Sequence, residues 1–258
     1  METKILDELK KSELLSLIAE GKRKDGRKFD EYRKITVEKG VIQNAEGSAL
    51  AKIGKTQVLC GVKFGVSIPY PDSPKEGTMM VMAELLPSAS HLFEPGPPGE
   101  ESIELARVVD RGIRSAEIMD FSSFFIEEGK VLSVFIDLYV LDHDGDLIDA
   151  SALASMAALL DAKMPLIEEG AIVRGKSAGP LPLKEKVVTC TFAKVGDHFL
   201  LDTTLDEEAG VEGRFSIATT PTHVCGIQKG GSGAFSKKNI LELVDLSFKK
   251  GEELRALL

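Results

Sequence analysis

The sequence predicts a mixed α/β protein built from two similar halves. Alternating apolar and polar residues predict strands over the first third of the chain and again after residue 187, and a helical pattern follows each strand-rich part. A short internal similarity links the two parts. The segments AKIGKTQVLC (51–60) and AKVGDHFLLD (193–202) both read as a strand, a glycine turn and a returning strand. Together with the matching order of elements, this predicts a duplicated sheet-plus-helix unit with a pseudo-twofold axis.

The first half is predicted from about residue 26 to residue 165, after an N-terminal helix over residues 2–20. Its predicted strands are 33–42, 47–54, 55–66, 78–87 and 129–146, with a hairpin turn at Gly54-Lys55. A helix is expected to begin at Glu101-Ser102, after the proline- and glycine-rich loop 93–102, and to end near Asp120. A second helix is expected over 148–164, where alanines suit close packing on a sheet.

The second half is predicted over residues 186–258, within one single domain spanning 1–258. The segment 165–186 reads as an insertion or irregular connection. Strands are then expected at 187–196, 198–204, 214–220 and 223–230, followed by a helix over 236–257. In front of this helix, the glycine-rich GGSGAF segment (230–235) lacks the phosphate-loop pattern, so we interpret it as a turn with Ser236 as the helix N-cap.

Composition excludes several functional classes. The formal net charge of −9 argues against a free-standing nucleic-acid binder, because phosphate contacts need clustered lysines and arginines. It leaves room for a few arginines in a cleft shared with a partner. No apolar run is long enough for a membrane helix, and the N-terminus lacks a signal-peptide core, so we expect a cytoplasmic protein without a membrane association. The three cysteines are widely spaced and fit reduced thiols.

Acidic residues crowd one stretch, DTTLDEEAGVEGRF (202–215). Five carboxylates there could form half of a metal site, an acid/base pair or a solvated turn. The histidines and cysteines show no zinc-ligand spacing, and the DHDGD segment (142–146) lacks the later glutamate of a calcium loop. We therefore predict no metal site and interpret DHDGD as a turn at the end of a strand.

Arginines mark one face of the predicted helix that starts near residue 101. Arg107, Arg111 and Arg114 follow one another at helical spacing, while Leu105, Val108, Val109 and Ala116 point away toward a core. One interpretation is a solvated face with Glu104–Arg107 and Asp110–Arg114 pairs. The other is a stripe that contacts phosphates or a neighbouring subunit, because guanidinium groups are planar and offer several donors.

Four segments closely resemble the RNase PH family: DGRKFDEYR, AEGSALAKIGKTQVLCGVK, FEPGPPGEESIELARVVDRGIRSAE and VLDHDGDLIDASALASMAALLDAKMP. Within it, the chain is similar to the non-catalytic ring subunits of the archaeal exosome. This resemblance implies an RNase PH-like fold, of the type of the second domain of ribosomal protein S5. It also implies that three copies of this chain alternate with three catalytic RNase PH-like subunits in a hexameric ring, which carries an S1- and KH-type RNA-binding cap. The implied activity of the ring is phosphate-dependent 3′→5′ degradation of single-stranded RNA.

The resemblance also marks three positions where this chain departs from catalytic relatives. Glu101 stands where an arginine grips phosphate, and Ile148 stands where the D-G-G-T-R-T-A segment has another arginine. Arg214 stands where the second carboxylate of E-E-D-x₅-D belongs, six residues after Glu208. The resemblance therefore implies a chain with no catalytic residues and no cofactor. By the same resemblance, Arg107 and Arg111 face the partner's cleft and are favoured over Arg114 for RNA contact.

Three functions remain open at this point. The first is a structural and RNA-positioning ring subunit. The second is an active phosphorolytic enzyme that recruits Asp202, Asp206 or Glu208. The third is a monomeric α/β RNA-binding module. Arg27, in the DGR motif, suits a structural turn pair with Asp25 as well as it suits a functional role.

Overall fold

The computed structural model describes the backbone of residues 2–258 and the side chains of residues 11–258. Met1, which the predicted single domain includes, lies outside the described residues. The helices are α1 (Glu2–Ala19), α2 (Glu100–Ser115), α3 (Leu147–Asp161), α4 (Leu205–Glu208) and α5 (Lys237–Arg255), with a 3₁₀ turn at Phe121–Phe124. This mixture of sheets and helices confirms the predicted α/β class.

Strands form two large sheets and a separate hairpin. The first sheet contains β1 (Ile35–Lys39), β2 (Gly47–Ile53), β3 (Thr56–Ser67), β4 (Thr78–Leu85), β5 (Phe125–Glu127) and β6 (Lys130–Asp142), in the order β1-β2-β3-β6-β4 with β5 also on β6. The second sheet contains β9 (Val188–Val195), β10 (His198–Leu201), β11 (Gly213–Thr219) and β12 (Val224–Gly231), in the order β10-β9-β11-β12. Only β4 pairs in parallel, with β6, among the ladders of these two sheets.

The core lies around α3, which packs against β2 and β3 of the first sheet and against β9 of the second. Twelve of the fifteen residues of α3 are buried, so this helix has no polar face toward solvent. Seven of its fifteen residues are alanine or serine, and these small side chains allow two sheets to approach one helix closely. The same cluster of buried residues includes Leu105 and Val109 of α2 and Leu243 of α5.

Both hairpins of the internal similarity are present. Ile53 pairs with Thr56 across the β2–β3 turn, and Val195 pairs with His198 across the β9–β10 turn. Each turn begins with a glycine at φ 59°, Gly54 in the first and Gly196 in the second. This backbone conformation strains residues that carry a Cβ, which explains the matching glycines.

The structure corrects two predicted elements. The segment 165–186 is not irregular, because most of it forms an antiparallel hairpin of β7 (Lys163–Glu168) and β8 (Ala171–Pro180). Its largely exposed residues lack the alternation that marks a half-buried strand. Helix α2 ends at Ser115 rather than near Asp120 because Glu117 adopts φ 48°, a left-handed conformation that ends helices.

Helices in the described part of the chain are all too short or too polar to span a lipid bilayer.

Candidate functional site

Helix α2 bridges the two sheets and thereby places its arginines. It packs against β4 of the first sheet and β12 of the second. Its buried side includes Leu105, Val108, Val109, Gly112 and Ile113. At Gly112 the helix comes so close to β11 that an added Cβ would lie 3.2 Å from the Cβ of Ala218. This close approach brings the exposed face of α2 beside β12.

The three arginines on this face have different surroundings. The side chain of Arg107 is exposed and forms no hydrogen bond or ion pair with the groups that the structure describes. Arg111 is exposed and donates from Nη1 to Oε1 of Gln228 at 2.6 Å. Arg114 forms an ion pair with Asp110 at 2.7 Å and also donates to the Met79 carbonyl of β4 at 3.0 Å. The guanidinium of Arg114 is therefore bound both within α2, by Asp110, and to the first sheet, at the carbonyl of Met79.

One of the two ion pairs considered for a solvated face forms, and the other does not. Asp110 pairs with Arg114, as that interpretation expects. Glu104 instead accepts a hydrogen bond from Nη2 of Arg214 at 3.2 Å. Sequence spacing could not reveal this partner, because Arg214 reaches α2 only through the packing of the second sheet.

The three positions that depart from the catalytic pattern lie on three elements. Glu101 is exposed in the first turn of α2, and Ile148 is buried in the first turn of α3. Arg214 is half-exposed at the start of β11. The charges of Glu101 and Arg214 both influence the pKa of Glu208, so the structure brings these three charged groups into one neighbourhood. There, the cation of Arg214 is already paired with Glu104, and Ile148 offers no charge to a phosphate.

Asp202, the first carboxylate of the acidic stretch, is fully buried and bound by two arginines. Arg33 donates from Nη2 and Nε to its carboxylate at 2.6 and 2.9 Å, and Arg27 donates from Nη1 at 2.9 Å. The backbone N–H of Arg33 adds a fourth bond at 2.7 Å. Arg27 also pairs with Asp25 at 2.7 Å, so the DGR motif is a structural turn.

Glu207 is held in the same way by the N-terminal segment. Arg23 donates to both of its carboxylate oxygens, at 2.9 and 2.6 Å, and both side chains are almost completely buried. Glu207 also closes a capping box with Thr204 at the start of α4. We use the name arginine clamp for Arg23, Arg27 and Arg33 together with Asp202 and Glu207. The clamp joins the segment before the first sheet to the second sheet.

Two buried aspartates lie beside the clamp: Asp146, the last residue of the DHDGD turn, and Asp149, which no sequence pattern marked. Neither carboxylate oxygen of Asp146 has a hydrogen-bond partner among the described residues, and one oxygen of Asp149 also lacks one. The other oxygen of Asp149 accepts from the Tyr32 hydroxyl at 2.8 Å and from the Thr191 N–H at 2.9 Å. Burial raises the pKa of Asp149 to about 7, and burial raises the pKa of Asp146 well above its ordinary value. Both groups are thus driven toward the protonated form.

Glu208 lies beside this pair, and its Oε1 accepts from the backbone N–H of Asp146 at 3.0 Å. Burial raises its pKa, while the charges of Arg214 and Arg33 oppose that change. In the described part of the chain, no three His, Cys, Asp or Glu side chains are arranged so that they could hold a metal ion. Asp202 and Glu207 bind arginines, and Glu208 binds a backbone N–H group.

The glycine-rich turn before α5 has a structural role. Ser236 is the N-cap of α5 and forms a capping box with Asn239, which confirms the interpretation from sequence. Lys229 folds back so that its Nζ donates to the carbonyl of Gly231 at 2.5 Å.

Comparison with known proteins identifies the family. Residues 31–165 match domain 1 of the 3′ exoribonuclease family, RNase PH, and residues 186–250 match domain 2. The chain is 44% identical to the protein named Exosome complex component Rrp42 of Thermococcus gammatolerans, covering 100% of this chain and 96% of that protein. The protein of the same name from Methanopyrus kandleri is also 44% identical, covering 99% of this chain and 97% of that protein.

Solved structures agree. A chain of the Archaeoglobus fulgidus exosome with RNA bound to the active site superposes with a TM-score of 0.90 at 44% identity, covering 98% of each chain. Rice Rrp46 superposes with a TM-score of 0.67 at 20% identity, covering 92% of this chain and 100% of that one, which shows the shared fold. The predicted RNase PH-like fold is thus confirmed, and the chain belongs to the 3′ exoribonuclease family, RNase PH.

Proposed function

We propose that this chain is a ring subunit of an exosome, a phosphate-dependent 3′→5′ exoribonuclease, and that it performs no phosphorolysis itself. It builds the ring, completes the active site of a catalytic partner and holds the 3′ end of the RNA. The exosome names of relatives that are 44% identical over nearly their whole length support the complex. The likeness to a chain of an exosome with RNA bound to the active site supports the link to RNA.

The ion pair between Arg214 and Glu104 is the observation that carries the non-catalytic assignment. Catalytic relatives place a carboxylate where Arg214 stands, and a guanidinium can neither donate a proton to a leaving oxygen at neutral pH nor hold a divalent cation. Glu104 fixes this guanidinium against α2 at 3.2 Å. With Glu101 acidic and Ile148 buried, a phosphate dianion would find no uncommitted arginine at the three positions.

The alternative of an active enzyme requires another carboxylate of the acidic stretch to do the chemistry. Asp202 is fully buried with two arginines on its carboxylate, and Glu208 is bonded to the Asp146 backbone. A general acid must reach the substrate, which the buried Asp202 cannot do, and the partly exposed Glu208 lacks the second carboxylate that the catalytic pattern places at position 214. Asp206 is exposed, but it forms an ion pair with Lys24 at 3.9 Å and stands outside the aligned pair.

For RNA contact we propose Arg107 and Arg111, with Arg114 as the weakest of the three predicted residues. The first two present guanidinium groups at the surface without a carboxylate partner among the described residues, as phosphate binding needs. The pairing of Arg114 with Asp110 explains the lower rank. Holding backbone phosphates would align the RNA end for chemistry on the partner.

For partners we propose a catalytic RNase PH-like subunit, alternating with this chain in a hexamer of three heterodimers, and an S1- and KH-type RNA-binding cap. The substrate is single-stranded RNA, and this chain contributes no cofactor. A net charge of −9 fits a protein that adds a few placed arginines to a shared cleft. The two-halves division and a cytoplasmic location remain part of this proposal.

The test is release of ADP from a short poly(A) RNA in the presence of Mg²⁺ and inorganic phosphate. We expect no release by the purified chain alone and clear release when it is mixed with a catalytic RNase PH-type ring subunit. The same mixture without phosphate is the control. Phosphate-dependent ADP release by the chain alone would overturn the non-catalytic assignment. A chain that stays monomeric with every such partner would overturn the ring.

A further inference from the structure

Gln228, on β12, differs from the partners that hold the other well-placed arginines of this chain. Its half-buried side chain accepts a hydrogen bond from Arg111 at 2.6 Å. The arginine clamp and the Arg114–Asp110 pair use carboxylates, which neutralise the guanidinium they bind. An amide oxygen orients a guanidinium and leaves its full charge in place. Arg111 is thus oriented and still cationic.

The packing of α2 on the second sheet prepares this contact. Gly112 allows α2 to approach β11, and the neighbouring Arg111 then crosses β12 at Gly226. An added Cβ at Gly226 would lie 3.8 Å from Cγ of Arg111, so the aliphatic stem of the arginine runs against the backbone of the strand. Gln228 lies two residues further along and therefore projects from the same face of β12 as residue 226. The stem is supported by one residue and the head group by the other.

The remaining donors of Arg111 suit a phosphate. A guanidinium has five N–H donors, and the bond from Nη1 to Gln228 uses one of them. The structure gives Arg111 no second polar partner among the described residues. A guanidinium whose plane is fixed in advance loses less rotamer freedom on binding than a free one, which improves affinity without any added contact.

We propose that Gln228 is a positioning residue for RNA: it holds Arg111 in the orientation that contacts an RNA backbone phosphate, and its neutrality keeps that arginine available. This inference rests on the proposed function, because it assigns a role to Gln228 only if Arg111 contacts RNA. Gln228 itself touches no reacting atom and acts through Arg111.

The test uses the assembled ring of this chain with its catalytic partner, and measures KM and kcat for phosphorolysis of a short poly(A) RNA. Gln228→Ala removes the acceptor and is expected to raise KM about threefold at unchanged kcat, since the arginine head group is then no longer ordered before binding. Gln228→Glu places a carboxylate on Arg111 and is expected to raise KM about tenfold, because the guanidinium is neutralised. Gln43→Glu, on the loop between β1 and β2, adds the same charge at an exposed glutamine that does not contact Arg111 and should leave KM unchanged.

Arg111→Ala and the double variant Arg111→Ala with Gln228→Ala complete a cycle. In the Arg111→Ala variant, the further change Gln228→Ala should not raise KM any more. If Gln228 had an independent structural role, Gln228→Ala would raise KM by the same factor with and without Arg111. If Arg111→Ala raises KM but neither Gln228 variant does, the positioning role is wrong and the proposed RNA contact stands. If Arg111→Ala leaves KM unchanged, the RNA contact of Arg111 is wrong and the inference falls with it. Ring assembly by size exclusion confirms that each variant is folded.

Discussion

The arginine clamp and the exposed face of α2 use the same side chain for opposite purposes. In the clamp, Arg23, Arg27 and Arg33 expose 11% of their side chains or less, and each binds the carboxylate of Asp202 or Glu207. On α2, Arg107 and Arg111 are exposed and bind no carboxylate that the structure describes. A buried guanidinium needs a counter-charge because its removal from water costs free energy, whereas an exposed guanidinium stays hydrated and is available to bind a ligand. Burial thus separates arginines that hold the fold from arginines that we propose hold RNA.

A substitution in the clamp tests whether its buried arginines stabilise the fold. Asp202→Asn keeps the shape of the side chain and tolerates the left-handed backbone at φ 51°, but leaves Arg27 and Arg33 without their shared charge. We expect the free energy of unfolding to fall by about 3–5 kcal/mol, because one partner of a buried ionic network is removed. Urea unfolding of the purified chain measures this. A loss below about 1 kcal/mol would mean that the clamp behaves like a surface ion pair.

Protonation of Asp149, next to the clamp, is expected to have the second-largest effect on the free energy of unfolding. Burial raises the pKa of Asp149 to about 7, so its neutral form is favoured in the folded state. The stability that this group contributes is therefore complete below its ordinary pKa of about 4 and is lost as pH rises through about 7. Asp149→Asn removes this titration. We expect the unfolding free energy of the wild type, relative to the variant, to fall by on the order of 3 kcal/mol between pH 4 and pH 8.

Urea unfolding of both proteins across that pH range provides the measurement. An unchanged difference would show that Asp149 stays ionised in the fold. Asp146 titrates beside it, with a pKa raised by burial and by the charge of Asp149, so the pH-dependent difference between the two proteins reports the coupled pair.

Charge reversal on α2 tests the ligand side of the comparison. In the assembled ring, Arg107→Glu or Arg111→Glu should weaken RNA binding about tenfold, the loss expected for one charge-assisted hydrogen bond to phosphate. The purified chain should keep its stability, since neither arginine has a carboxylate partner among the described residues. The measurement is KM for RNA together with urea unfolding. Loss of stability with unchanged KM would place these arginines with the clamp.

Loss of the Asp110–Arg114 pair should give the smallest of the four predicted effects. Its pair with Asp110 is half-exposed at i and i+4, and such pairs contribute about 0.5 kcal/mol or less. Asp110→Asn should therefore lower the unfolding free energy by no more than that amount. Because it also frees the Arg114 head group, KM for RNA could only fall or stay unchanged. A rise in KM would show that the Asp110–Arg114 pair itself shapes the RNA-contact face.

Much of the local structure followed from sequence pattern. The strands of both hairpins, the Ala-rich α3 and the Ser236 cap of α5 all lie where residue periodicity and turn residues predict them. The hairpin of β7 and β8 did not, because its exposed residues carry no periodic apolar signal. An element is visible in sequence when its own residues alternate between core and solvent, as in the two predicted hairpins, or form a long apolar Ala-rich run, as in α3.

The sequence by itself determined the α/β class, the family resemblance and the row of arginines on one helix face, because each depends on the order and spacing of neighbouring residues. Only the tertiary structure decided which arginines are already bound to a partner within the chain. The partner of Arg214 lies 110 residues away, the partners of Arg23 and Arg33 lie 184 and 169 residues away, and Gln228 lies 117 residues from Arg111. A partner that distant is brought into contact by the packing of helices and sheets, and no spacing rule within one element can find it.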